Sequence, residues 1–158
     1  YYKDEVEDKD RIVTGWGASL SGIWQFAENT SLCFQGVYGK GISNYIQDIS
    51  GSGLDLVPSA TAEGKLKAFN AWGGYIGFSH NWSKVLTSNI MYSYARALDR
   101  YGMPATSYKY AQYAAANLFW DFSEYGSCAI EYVFGRRNDF NKDYGNASRI
   151  NTMIQYRF

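Results

Sequence analysis

The side chains best suited to act on a solute are cations at odd-numbered positions. Arg11, Lys67, Lys109, Arg137, Arg149 and Arg157 share that parity inside or beside alternating apolar segments, and Asp121 and Glu131 are carboxylates of the same parity. If odd-numbered side chains line one water-filled space, the excess there is positive, and every cation but Arg157 falls where a segment meets a long connection. A ring of Lys and Arg at the mouth of a narrow, low-dielectric passage concentrates anions and lowers their entry barrier. The chemistry anticipated is therefore selection of small anionic solutes, without the making or breaking of bonds. The plainer alternative is that these cations pair with loop acids such as Asp139 and Asp143, or with anionic lipopolysaccharide. The connection 42–65 adds Tyr45, Asp48 and Asp55, polar groups that would narrow a passage if the loop folds inward and would otherwise pack on neighbouring loops. Glu131 has Arg neighbours by parity and reads equally as a structural ion pair.

Catalysis and metal binding find little support. Nucleophilic catalysis needs a nucleophile, a base and a group that orients the base, and His80 is the single imidazole. Its neighbours Asn81 and Trp82 put it in a tight turn, where an aromatic-like interfacial role is expected. Cys33 and Cys128 have no close partner in sequence, and with one histidine they cannot build a four-ligand zinc site. Lys plus Arg and Asp plus Glu number 15 each, so the basic footprint that neutralises nucleic-acid phosphates is missing. No catalytic residue, metal, cofactor or nucleic-acid partner is expected.

The elements that must hold these residues are strands. Aromatics are 18% of the chain, beside 16 Gly and 2 Pro, a mixture that suits pleated surfaces and penalises helices. Turn residues divide the chain into seven predicted strands at 11–26, 31–41, 66–80, 85–98, 108–122, 126–137 and 148–158. In the last, Ile150, Thr152, Ile154, Tyr156 and Phe158 point one way while Arg149, Asn151, Met153, Gln155 and Arg157 point the other. In the first, Ile12, Trp16, Leu20, Trp24 and Phe26 oppose Arg11, Gly15, Ser19 and Gln25. Asn70, Arg96 and Gln112 break the even-numbered apolar pattern.

The odd-numbered face is too small and too polar for a dry core, so the aromatic face must meet another apolar phase, and lipid supplies one. No apolar run is long enough for a membrane-spanning helix, and mean hydropathy is −0.36. Strands of about 9–11 tilted residues do span a bilayer. Connections 27–30, 81–84 and 123–125 are short, whereas 42–65, 99–107 and 138–147 are longer. This alternation predicts an antiparallel transmembrane β-barrel meander in the bacterial outer membrane, with long loops outside and the C-terminus in the periplasm. Aromatics at 24, 26, 78, 82, 120, 122, 156 and 158 would form one girdle, and Tyr38, Tyr94, Tyr108, Tyr110 and Phe134 the other. The segment Lys3–Arg11, charged at eight of nine positions, reads as an exterior loop.

Seven strands do not suit a single-chain barrel of even count, and an open edge in lipid would strand its backbone groups. Earlier strands before Tyr1 are therefore expected. The alternative is a small closed barrel with an eighth strand from 52–62, acting without conduction as a membrane anchor or adhesin. Ile154, Tyr156 and Phe158 form the terminal aromatic signal that barrels of many families present to the barrel assembly machinery.

Two stretches carry a family resemblance. Tyr38, Gly39, Lys40, Gly41 and Ile42 lead into Tyr45, Ile46 and Asp48, and Glu131, Tyr132, Gly135, Arg136 and Arg137 follow later. Both patterns, with the closing stretch 131–158, resemble the DcaP-like trimeric outer-membrane porins. The resemblance implies that this chain is the C-terminal half of a barrel of about sixteen strands, assembled as a homotrimer and passing small anionic solutes such as dicarboxylates. Outer-membrane lipid and lipopolysaccharide would surround it.

Overall fold

The structure, a computed structural model, describes every residue except 1, 5, 6, 60, 62, 63, 99 and 101. Alternating residues with frequent β-branched and aromatic side chains form strands throughout. In chain order they are β1 (Tyr2–Asp4), β2 (Lys9–Arg11), β3 (Trp16–Ala27), β4 (Thr30–Lys40), β5 (Leu56–Pro58), β6 (Leu66–Ala68), β7 (Asn70–Asn81), β8 (Leu86–Ala97), β9 (Tyr108–Asp121), β10 (Gly126–Asp139) and β11 (Tyr144–Tyr156). Two 3-10 turns, Ser43–Tyr45 and Gln47–Ile49, interrupt the connection after β4.

Seven long strands make one antiparallel sheet in the order β11-β10-β9-β8-β7-β4-β3. This is the expected meander wall. Among the described residues it stays open, with β3 and β11 as its edges. Each pairing has a single register over ten or more residues; Asn89, Asn117, Glu131 and Asn151, for example, lie in one row across β8 to β11.

The alternation of faces is regular along the wall. Trp16, Ile90, Leu118 and Ile154 are 51%, 61%, 41% and 84% exposed, so the even-numbered aromatic face is not a shared dry interior. At the short-turn end its rings touch in series: Trp24 with Phe26, Phe26 with Phe78, Phe78 stacked on His80, and His80 edge-on to Trp82 at 4.5 Å. His80 behaves as the aromatic the sequence suggested, with Nδ1 2.8 Å from the Thr30 hydroxyl.

Several boundaries differ from the sequence reading. The first predicted strand is broken: Arg11 ends β2, and β3 begins only at Trp16. In the segment Lys3–Arg11, expected as an exterior loop, Tyr2–Asp4 and Lys9–Arg11 pair as a two-stranded sheet of their own, outside the seven-stranded wall. The strand 66–80 splits at Phe69, which is fully buried where the chain turns from the small β5–β6 hairpin into the wall. Residues 56–58 are extended, yet they pair with β6 outside the seven-stranded sheet, so the described residues of 52–62 provide no eighth wall strand. The connection expected at 138–147 shrinks to 140–143, because β10 and β11 run on beyond it with Lys142 in the left-handed region at φ 74°.

The dry core lies on the odd-numbered face, at the long-loop end. Gly41, at φ 66°, turns the chain inward after β4. Ile42, Ile46, Ile49, Val57 and Phe69 then pack against Ala71, Ala95, Ala97 and Tyr108. The small wall residues make room for the loop, and Gly73 leaves space for Ile46, whose Cγ2 stands 3.3 Å from where a Cβ would sit. Burying each isoleucine is worth about 1.5–3 kcal/mol. The odd-numbered face is thus polar over much of its length but apolar where the loop docks.

Candidate functional site

The docked loop and the odd-numbered face enclose a groove of about 520 Å³. Its floor is Gln35, Tyr75, Ser93 and Tyr113, and its rim is Tyr45, Gln47 and Asp48 from the 3-10 turns. Tyrosines, amides and one carboxylate can hydrogen-bond a polar solute or hydrate its path, but they hold no base poised against a nucleophile. Tyr45 is 82% exposed. Asp48 lies close to the loop's apolar body, and the partial loss of water raises its pKa.

Asp55, expected beside Tyr45 and Asp48 as a polar contact, has another task. Its carboxylate accepts hydrogen bonds from Ser43 N at 2.8 Å, Ser43 Oγ at 2.7 Å and Asn44 Nδ2 at 2.7 Å. Its backbone carbonyl accepts from Phe69 N at 3.0 Å. One residue therefore fastens the first 3-10 turn to the start of β7, and its acceptor atoms are spent inside the loop.

The predicted cations do not form one ring. Arg11 belongs to the β1–β2 hairpin, where its guanidinium donates to Asp4 at 3.1 Å and Glu7 at 2.6 Å. Those contacts hold its pKa above the ordinary arginine value, with the Asp4 hydrogen bond the largest cause. Lys67 pairs with Val57 in the β5–β6 hairpin, off the wall. Arg137 is on the wall but donates to Asp139 at 2.8 Å and lies over the Tyr108 ring, 5.7 Å from its centroid. Arg149 is exposed on β11, opposite Val133. Lys109 sits at a bulge: Tyr110 pairs with Asn138 but Tyr108 with Asp139, so the register slips there and strict parity fails. The slip carries Tyr108 into the loop-side core, where its hydroxyl donates to the Ala95 carbonyl at 2.9 Å. Tyr108 is therefore no part of an outer aromatic girdle.

Glu131 keeps company that sequence reasoning missed. It accepts from Asn151 Nδ2 at 2.9 Å and Asn117 Nδ2 at 3.3 Å, while Asn89 Nδ2 donates to Asn117 Oδ1 at 2.8 Å. The four side chains form a hydrogen-bonded ladder across four strands on the odd-numbered face. Its signal lay in the sequence, since three asparagines share Glu131's parity and stand similarly far from the short turns. Arg149, the neighbour that parity proposed, contributes only at a distance. Among the odd-numbered wall positions Arg137 and Arg149, with Lys109 at the bulge, equal Asp121, Glu131 and Asp139 in number, so the charges there leave no net excess of either sign.

Ile154, Tyr156 and Phe158 lie together on the aromatic face and are exposed, with Tyr156 in ring contact with Tyr125 at 6.4 Å. Among the described residues no cluster of His, Cys, Asp and Glu could hold a metal ion.

No family model and no curated protein matches the sequence. A solved structure does match, at 19% identity and a TM-score of 0.76: the crystal structure of the outer membrane channel DcaP of Acinetobacter baumannii. The match covers 98% of this chain and 43% of that one, so the present chain spans less than half the length of the channel it resembles. The open sheet of seven antiparallel strands thus shares its fold with part of that channel, the fold that the two sequence stretches had implied.

Proposed function

We propose that this chain is part of the wall of an outer-membrane channel that passes small polar solutes by diffusion, and that further strands complete the barrel. One observation carries the proposal above the others: the loop after β4 docks on the odd-numbered face and leaves beside it a groove lined by polar and apolar side chains together, while the opposite face is aromatic and exposed. A wall built this way has water on its loop-bearing side and acyl chains on the other. The two open edges and the 43% coverage of the channel chain support completion by other strands. With long loops outside, the C-terminus faces the periplasm.

Preference for anions such as dicarboxylates rests on Arg137 and Arg149, since Arg11 and Lys67 belong to hairpins away from the wall. The near balance of wall charges makes that preference weak, set by where the cations stand more than by net charge. Assembly as a homotrimer, with lipopolysaccharide around it, belongs to the same reading.

Planar-bilayer recording of the full-length protein tests the channel. Stepwise conductance is the expected result, with reversal potentials in a salt gradient displaced modestly toward anions. A folded barrel that never conducts would refute it and favour an anchor or adhesin.

A further inference from the structure

The aromatic face contains a cluster that the channel does not use. At even-numbered positions of the seven wall strands the charged side chains are Lys40, Arg96 and Arg136, all cationic, with no carboxylate among them. Arg96 on β8 pairs in register with Trp72 and Tyr110, and Gln112 on β9 pairs with Tyr94 and Arg136. The Trp72 ring lies tilted against Tyr94 at 5.0 Å, and Tyr94 stacks on Tyr110 at 5.5 Å. Arg136 donates to Asn138 at 3.1 Å and lies over the Tyr144 ring, 4.3 Å from its centroid. Arg96 Nε is buried and has no hydrogen-bond partner. A buried guanidinium N–H without an acceptor is costly, and the rest of the Arg96 side chain is partly exposed on this face.

Beside this cluster lies a concavity. Gly36 and Gly74 are register partners, and nothing stands within 4 Å of where a Gly36 Cβ would be. The notch, about 890 Å³, is walled by Leu20, Tyr38, Trp72, Ile76, Tyr92 and Tyr94. Trp72 and Tyr94 therefore border both features.

We propose that this face docks a phosphorylated, acylated glycolipid of the outer leaflet, of the lipid A type. Arg96, Gln112 and Arg136 hold its phosphate, and an acyl chain lies in the Gly36–Gly74 notch. The inference rests on the membrane reading above. Its height fits: Arg96 is ten residues from Leu86 along β8, which at about 3.3 Å per residue and a tilt of roughly 40° is about 25 Å, the height of a barrel's apolar band. Arginine offers forked donors that match phosphate. The charge also argues against a second copy of this sheet as occupant, because the same face presents no carboxylate to meet the arginines.

The test uses the full-length protein in detergent, with native mass spectrometry and bis-phosphorylated lipid A as the probe. Arms with dephosphorylated lipid A and with phosphatidylglycerol run beside it. Arg96→Gln and Arg136→Gln should each weaken lipid A binding roughly tenfold, the loss of one charge-assisted hydrogen bond. Dephosphorylated lipid A should bind the unaltered protein as poorly as the double variant binds lipid A. Gly36→Leu, which fills the notch, should weaken binding with the arginines intact, and Arg96→Lys should retain part of it. Unchanged conductance in all variants shows that they fold, and keeps failure of the channel reading distinct from failure of the lipid site. Equal binding by the double variant, equal binding of dephosphorylated lipid A, or equal binding of phosphatidylglycerol overturns the proposal. So does a change of oligomeric mass in the double variant without loss of lipid, which would make the face an interface between copies.

Discussion

Replacing Asp55 with alanine should free the inward loop. The carboxylate takes both polar groups of Ser43, a residue only 1% exposed, and the amide of Asn44. Leaving a buried donor without its partner costs about 1–3 kcal/mol. Two such donors on Ser43, with the exposed Asn44 contact discounted, put the loss near 3 kcal/mol, so the undocked population rises roughly a hundredfold. Ile46 and Ile49 would still favour docking, and the loop should flicker between states instead of melting. Single-channel recording reads this as added open-channel noise and intervals of higher conductance, and trypsin should cut faster at Lys65 and Lys67. Asp55→Asn keeps one acceptor for Ser43 and should fall between the alanine variant and the unaltered protein. If Asp55→Ala leaves noise and proteolysis unchanged while altering only solute affinity, Asp55 is a solute contact and the reasoning fails.

Other outcomes follow from the same geometry. Asp48 has a raised pKa in the docked loop, so docking favours its protonated form; as pH falls through that raised value toward the ordinary carboxylate range, open-channel noise should decline, and Asp48→Asn should be quiet at every pH. Glu131→Gln exchanges a carboxylate for an amide that can accept from only one of Asn117 and Asn151, costing about 1 kcal/mol of wall stability, and it should move the reversal potential further toward anions; no shift would mean Glu131 is screened from the ion path. Deleting Phe158 should lower the amount of heat-resistant folded barrel recovered from membranes while leaving the conductance of each surviving channel unaltered.

Alternation made the wall legible, because a period of two fixes which side chains share a face regardless of what they meet. Trp16, Ile90, Leu118 and Ile154 could therefore be assigned together from spacing alone. Parity failed where backbone geometry departs from a regular strand. The slip at Lys109 moved Tyr108 from the expected outer girdle into the loop-side core, and the break at Phe69 removed Lys67 from the wall. Arg11 was misplaced for a different reason: the charged run before it forms a hairpin satisfied by Asp4 and Glu7, a local choice that hydrophobic patterning does not report. An inward fold of the loop was one of two outcomes left open, but the residues that seat it were not legible. Gly73, Ala71, Ala95 and Ala97 read as a face too small for a core, yet small residues on one surface are what a bulky partner needs, and Ile42, Ile46 and Ile49 sat in a segment whose helical turns are too short to show periodicity.

The row of Asn89, Asn117, Glu131 and Asn151 has a consequence for how the sheet comes together. A tight two-residue turn dictates how its flanking strands align, but ten residues separate β8 from β9 and leave that alignment undetermined by connectivity. Sliding either strand by one position would swing an asparagine out among the acyl chains and orphan its amide; sliding by two would part it from its mate. The row therefore works as a key that accepts one setting, proofreading a loosely tethered pair during insertion and passing the correct alignment on to β10 and β11.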